Sequence, residues 1–528
     1  MTMTSDPEHS STTSESRTGW TTGVDIPMTL IATGIVLAFL IAGTVYPNLI
    51  AEKGEAIYVF FADWFGWIWV LGTAFFVAFI VFLAVSDAGK IKLGDPHDQP
   101  EYSAFSWISM MFALGVGIGL IFFGAAEPLM LFAAPPPGGP PPRTPEAALV
   151  AMQYSLFHWG FHVWAFFGVA GLAFAYTTHR KQRPALITST LEPLIGRYAH
   201  GLCGRGINTW IIITTLVGNA VTLGLGVLQV RAGLGYVGGI EPSKGLLVLI
   251  VGTLTIGFLL SATAGIDKGI KRLADFNSLL AIALLIFILV LGPLNFIFDF
   301  TTQAVGAYLD RFIPMSFQTG AFADGTWMRK QTLFYWAWGI SWAPYVGSFL
   351  AKISRGRTIR EYTLGVLVAP TVATIFWFGV IGSSALDLQL GGAELASVAT
   401  EDAQKSFFAV LEYFPFSMVT GSAVIFLAAV FFISGADAGA IVLGTFSSWG
   451  DPEPKKWITL LWGTQIGLVA LVLLMLDGLN ACMWGAIVAA APFVLVLIAM
   501  CIALVIDLRR DGFLGGRPGE APSPTELE

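Results

Sequence analysis

Met111-Phe-Ala-Leu-Gly-Val-Gly-Ile-Gly-Leu120 places glycines at 115, 117 and 119 inside an apolar run. A helix in hydrocarbon must satisfy its own backbone hydrogen bonds, and alternate glycines make that helix easy to unwind. The run therefore reads as a membrane span broken where it lines a cavity, or as a seam of small residues against another helix. It is not a dinucleotide loop, because no strand precedes it and no ribose-binding acid follows.

A second run shifts the balance towards the broken span. Phe334-Tyr-Trp-Ala-Trp-Gly-Ile-Ser-Trp-Ala-Pro-Tyr345 combines three tryptophans with Gly339 and a mid-helix Pro344. Interrupted segments at matching positions of two halves are the best sequence pointer to a transporter site. Both runs are expected to break.

The remainder of the chain fits that setting. Of 528 residues, 55% are hydrophobic and 12% charged, a balance suited to a bilayer. Apolar windows give twelve spans near 26–47, 65–86, 103–126, 147–178, 206–232, 245–264, 274–297, 332–352, 360–384, 416–446, 457–476 and 482–506. Residues 299–314 are too polar to cross and read as an interfacial helix. Placing both ends inside puts most of the 28 Lys and Arg in cytoplasmic segments. The expected protein is all-α and multi-pass, in the plasma membrane, with both termini cytoplasmic.

The first 22 residues lack a basic n-region and a short apolar core, and read as a disordered tail. Pro135 to Arg143, PPPGGPPPR, is a stiff outer spacer. Cys203, Cys482 and Cys501 are too scattered for a disulfide framework or a zinc site. No basic stripe tracks a phosphate backbone, so nucleic acid is not a partner.

Trp159, Trp164, Trp336, Trp338 and Trp342 lie deeper than an interfacial belt requires. Intramembrane acids are few, with Glu127 at a span end and Asp437 in the tenth span, and no acid is expected beside the aromatics. A cation held there would rest on ring faces, each worth about 0.5–2 kcal/mol, without a charge that repels a zwitterion's carboxylate. Amides freed near Gly115–Gly119 could meet that carboxylate, and carbonyls and hydroxyls at breaks could hold sodium. His158 and His162 share the i, i+4 spacing of a zinc pair but lack a third ligand, and are expected to be buried, hydrogen-bonded residues. Convergent nucleophiles or metal ligands that would mark an enzyme are missing, and helix breaks with an aromatic box suit a carrier better than a channel.

Three stretches carry a family resemblance: MMFALGVGIGLIFFGAAEP at 110–128, HWGFHVWAF at 158–166 and WAWGISWAPYVGSFLAKISRGRTIRE at 336–361. Through them the chain resembles the betaine/choline/carnitine transporters. The resemblance implies two leading helices (23–102) and a five-plus-five inverted repeat of the leucine-transporter kind. Its halves would be 103–298 and 332–507, joined by 299–331 and followed by a tail at 508–528. It further implies a homotrimer and uptake of compatible solutes coupled to sodium or protons, with no other cofactor.

Carried over by residue, the solute site falls on Trp159, Trp164, Trp338 and Trp342, with Ala113, Leu114 and Val116 beside the break and Thr222 on the carboxylate side. Gly339 stands where a second tryptophan is usual and Phe167 where a tyrosine is usual, which leaves the solute open. One implied sodium site takes Ala113, Val116, Phe431, Ser434 and Gly435, weakened by the missing hydroxyl at 435; the other takes Thr215, Asn219 and Tyr345. Gly119 keeps the glycine that proton-coupled choline carriers replace with aspartate, so betaine is favoured over choline; sodium symport of glycine betaine or a related solute is expected, with proton-coupled choline, carnitine or ectoine transport as the alternative. The basic run 353–361 is expected to meet anionic lipid or a neighbouring subunit's tail. The tail after Leu508 is short and ends acidic, unlike the long basic extension of osmosensing relatives.

Overall fold

The computed structural model describes residues 22–115, 117–264 and 269–514. The expected N-terminal tail and most of the C-terminal tail lie outside them. The described residues form helices joined by turns, and their one β feature is an isolated bridge between Lys92 and Thr358.

In chain order the helices are α1 (Ile26–Val45), α2 (Pro47–Val85), α3 (Ala104–Gly115), α4 (Ile118–Ala133), α5 (Pro145–Trp159), α6 (Phe161–Ala175) and α7 (Ile187–Ile195). They continue as α8 (Leu202–Gly238), α9 (Lys244–Ala264), α10 (Gly269–Leu291), α11 (Leu294–Ser316), α12 (Thr326–Met328), α13 (Phe334–Ile353) and α14 (Ile359–Leu390). The last are α15 (Leu395–Glu401), α16 (Ser406–Leu411), α17 (Ser417–Ser447), α18 (Lys456–Asp477), α19 (Leu479–Ala490) and α20 (Phe493–Arg510). Among the described residues, nine helical stretches are long and apolar enough to cross a membrane, or ten if the bent pair α10–α11 counts as one.

Local chemistry fixes the helix starts. Asp25 caps α1 by accepting from the Met28 amide at 3.3 Å. Thr144 accepts from Ala147 at 3.2 Å, with Pro145 opening α5. Thr358 and Glu361 form a reciprocal capping box at the head of α14. Each cap satisfies amides that the first helical turn leaves unpaired.

The third span is broken as expected, α3 ending at Gly115 and α4 starting at Ile118 with Gly117 extended at φ −108°, ψ −171°. The eighth is not: α13 runs unbroken through Gly339 and Pro344. Its small residues serve packing instead. A Cβ at 339 would come within 2.7 Å of Phe166, and one at 347 within 2.8 Å of Ala170, so α13 lies tightly on α6 and has no room to unwind.

The fourth span, expected to be continuous, divides at Gly160 (ψ −135°) into α5 and α6. Thr374 Oγ1 of α14 donates to the Trp159 carbonyl at 3.1 Å, pairing a carbonyl at the divide. The second span also starts earlier than expected, since α2 runs from Pro47. The helix expected at 299–314 extends over Leu294–Ser316 and leaves α10 at 109°. It buries Phe300, Ala304 and Tyr308 and exposes Asp299, Asp310 and Arg311, the two-sided pattern of a surface helix.

The basic run 353–361 folds back on its own chain. Arg357 lies 4.0 Å from the Trp107 ring and donates to the Tyr102 carbonyl, Arg355 pairs with Asp98 at 3.1 Å, and Arg360 donates to the Ala84 carbonyl. These arginines have partners within the chain.

Candidate functional site

Helices α5, α6 and α13 bring together the expected aromatics. Trp159, Trp164, Phe167, Trp338 and Trp342 all line one cavity, with His158, Val163, Tyr335, Gly339, Val346 and Thr374 completing the wall. Trp159 and Trp338 meet edge to face at 5.8 Å, Trp338 and Trp342 at 5.1 Å, and Trp164 and Phe167 at 5.5 Å. Edge-to-face contacts fix each ring against its neighbour, and Phe334 stacks on Trp338 at 5.8 Å. The cavity, about 40 Å³, holds a few water-sized groups, so a bulkier head must press the rings apart.

Hydrogen bonds hold two rings from behind. Trp338 Nε1 donates to Thr222 Oγ1 at 3.2 Å, and Trp342 Nε1 to the Gly218 carbonyl at 3.3 Å. Thr222 in turn donates to the Gly218 carbonyl at 2.9 Å. Its one proton is thus engaged, and the residue stands behind Trp338, outside the cavity's lining. Ala113, Leu114 and Val116, expected beside the solute, lie outside the residues whose side chains are described.

One expectation is overturned. An acid does accompany the aromatics: Glu127 of α4 is fully buried, accepting from Trp159 Nε1 at 2.6 Å through Oε2 and contacting His158 Nδ1 at 2.6 Å through Oε1. His158 Nε2 pairs with Thr332 Oγ1 at 3.0 Å, and its ring stacks on Tyr335. Glu127 lies 32 residues from Trp159 in sequence, and only the approach of α4 to α5 reveals the pair. The signal available was Glu127 itself, a carboxylate in an apolar run that could stay there only with partners. His162 is buried and pairs with Ser316 at 2.8 Å, so both histidines are hydrogen-bonded as expected.

The oxygen set Thr215, Asn219 and Tyr345 lies where α8, α13 and α17 meet. The Thr215 hydroxyl is buried without a hydrogen-bond partner among the described residues. Asn219 donates to the Thr215 carbonyl at 2.8 Å, which leaves its own Oδ1 towards Gly439. Tyr345 is buried one turn beyond Ser341, which abuts Gly218. An orphaned buried hydroxyl beside an amide oxygen suits a hard cation. Of the other expected set, Phe431 and Ser434 lie on α17, where the Ser434 hydroxyl donates to the Val430 carbonyl at 3.0 Å and keeps its lone pairs available. Ala113 and Val116 of that set fall outside the described side chains.

Membrane-length helices around a buried aromatic cavity define a multi-pass membrane protein. Residues 27–513 match the betaine/carnitine/choline family transporter profile, BCCT, and the chain belongs to this family. It is a transporter, not an enzyme, as the sequence led one to expect. Similar proteins include Glycine betaine transporter OpuD of Bacillus subtilis, 40% identical over 91% of this chain and 94% of the relative. The Ectoine/hydroxyectoine transporter of Virgibacillus pantothenticus is 35% identical over 90% of this chain and 94% of its own length. Betaine/ectoine transporter LcoP of Corynebacterium glutamicum is 35% identical over 93% of this chain and 78% of its own.

Proposed function

We propose that the protein imports a compact zwitterion bearing a quaternary ammonium, glycine betaine first among candidates, by sodium symport with alternating access. The observation that carries this reading is the convergence of five aromatic residues from three helices on one narrow cavity. Ring faces attract a methylated ammonium that cannot donate hydrogen bonds. Relatives named for betaine and ectoine support the same solute class. The unpartnered Thr215 hydroxyl, one helical turn from Asn219 on α8, supports sodium as the coupling ion.

In this reading the chain crosses the plasma membrane twelve times with both termini inside. Two leading helices precede halves at 103–298 and 332–507 that repeat in inverted order, α11 lies at the interface, and the protein assembles as a homotrimer among lipids.

The test is uptake of labelled glycine betaine into proteoliposomes under an inward sodium gradient. Saturable accumulation and counterflow are expected, with competition by ectoine ahead of choline and carnitine. Full uptake on a proton gradient alone would select proton-coupled choline, carnitine or ectoine transport instead. Absence of uptake for the whole panel would overturn the reading.

A further inference from the structure

Glu127 is not itself among the residues that line the aromatic cavity, yet it contacts two that are, Trp159 and His158. Indole nitrogen can only donate, so Oε2 accepts. The other oxygen, Oε1, pairs with His158 Nδ1 at 2.6 Å, while His158 Nε2 pairs with Thr332 Oγ1 at 3.0 Å; in the tautomer with the proton on Nδ1, both oxygens of Glu127 accept. The Tyr335 hydroxyl faces the same group. A buried carboxylate is tolerated only with such donors, and here all of them come from residues that surround the solute cavity.

A hydrogen bond from an indole N–H to an anion draws electron density onto the ring. The quadrupole of an aromatic face is what attracts a cation, so a more electron-rich ring attracts it more strongly. Glu127 is fully buried, and the low dielectric of such a position enlarges the effect.

We infer that Glu127 is a positioning and polarising residue for the solute site: acting through Trp159, its buried charge strengthens the grip on cationic heads and discriminates against uncharged ones of the same shape. This rests on the aromatic cavity being the solute site.

The experiment measures binding to purified protein by tryptophan fluorescence for two ligands, glycine betaine and 3,3-dimethylbutanoate, whose uncharged tert-butyl head has the shape of the trimethylammonium. Glu127→Gln is expected to weaken betaine binding about tenfold while changing the uncharged analogue less than about twofold. In a Trp159→Phe background, where the N–H is gone, Glu127→Gln should weaken betaine no further. If Glu127→Gln does not insert, Glu127→Asp, which draws the charge back by one methylene, is expected to give the same selective loss on a smaller scale. Equal weakening of both ligands, no weakening, or an undiminished effect in the Trp159→Phe background would each overturn the inference and leave Glu127 a packing residue. Failure of the wild-type protein to bind betaine would instead count against the substrate reading, and the same comparison would then be made between choline and its uncharged carbon analogue 3,3-dimethylbutanol.

Discussion

Trp159 and Trp338 stand edge to face, 5.8 Å between centroids at 85°, and the backbone of Gly119 fills the notch between them. A methyl group at 119 would collide with both rings, the nearest Trp338 atom being 2.9 Å from it. Gly119 therefore sets how closely α4 approaches the aromatic cavity.

Gly119→Ala is expected to displace both indoles and weaken solute affinity about tenfold or more, with overpacking costing about 1–3 kcal/mol. Apparent affinity for uptake, measured beside surface expression, checks this. Wild-type affinity at normal expression would show that the rings yield freely.

Trp342→Leu is expected to remove high-affinity uptake and leave membrane insertion intact, because one ring face contributes about 1–2 kcal/mol. Trp342 is only partly buried and packs on Trp338, so its loss leaves most of the bundle untouched. An unchanged half-saturation constant would reject the aromatic site.

Thr215→Ala and Asn219→Ala should each raise the sodium concentration needed for half-maximal uptake, by severalfold, since each removes an oxygen from a cation that prefers several. Removing the Thr215 hydroxyl breaks no hydrogen bond among the described residues, so folding should be spared. A sodium titration unaltered in both variants would put the ion elsewhere.

Gly435→Ser is expected to lower the sodium requirement by adding an oxygen one residue from Ser434. No described atom lies within 4 Å of a Cβ at 435, so the substitution is accommodated on the described side of α17. Uptake against sodium distinguishes the outcomes: a lower maximal rate with unchanged half-saturation would identify Gly435 as a packing glycine.

Much of the bundle was legible because span hydropathy and glycine interruption are local signals. The break before Ile118 and the aromatic cluster could be read directly from 111–120 and 334–345. What sequence obscured depended on distant contacts. Pro344 suggested a broken α13, but packing of Gly339 and Gly347 against α6 decides otherwise. The divide at Gly160 follows no proline, and becomes apparent only when Thr374 is seen pairing the Trp159 carbonyl. Glu127 looked isolated for the same reason, its partners lying on α5.

The divide at Gly160 distributes the cavity's wall over separate helices: Trp159 lies on α5, Trp164 and Phe167 on α6, Trp338 and Trp342 on α13. The shape of the cavity is then set by an angle as much as by a volume. The residues that set this angle stand away from the solute. A Cβ at 160 would meet the Tyr308 hydroxyl at 3.2 Å and Thr371 at 3.5 Å, and Tyr308 stacks on Phe161 just beyond the divide. A substitution on α11, a helix that supplies nothing to the cavity wall, could thus change the cavity's shape with none of its rings substituted.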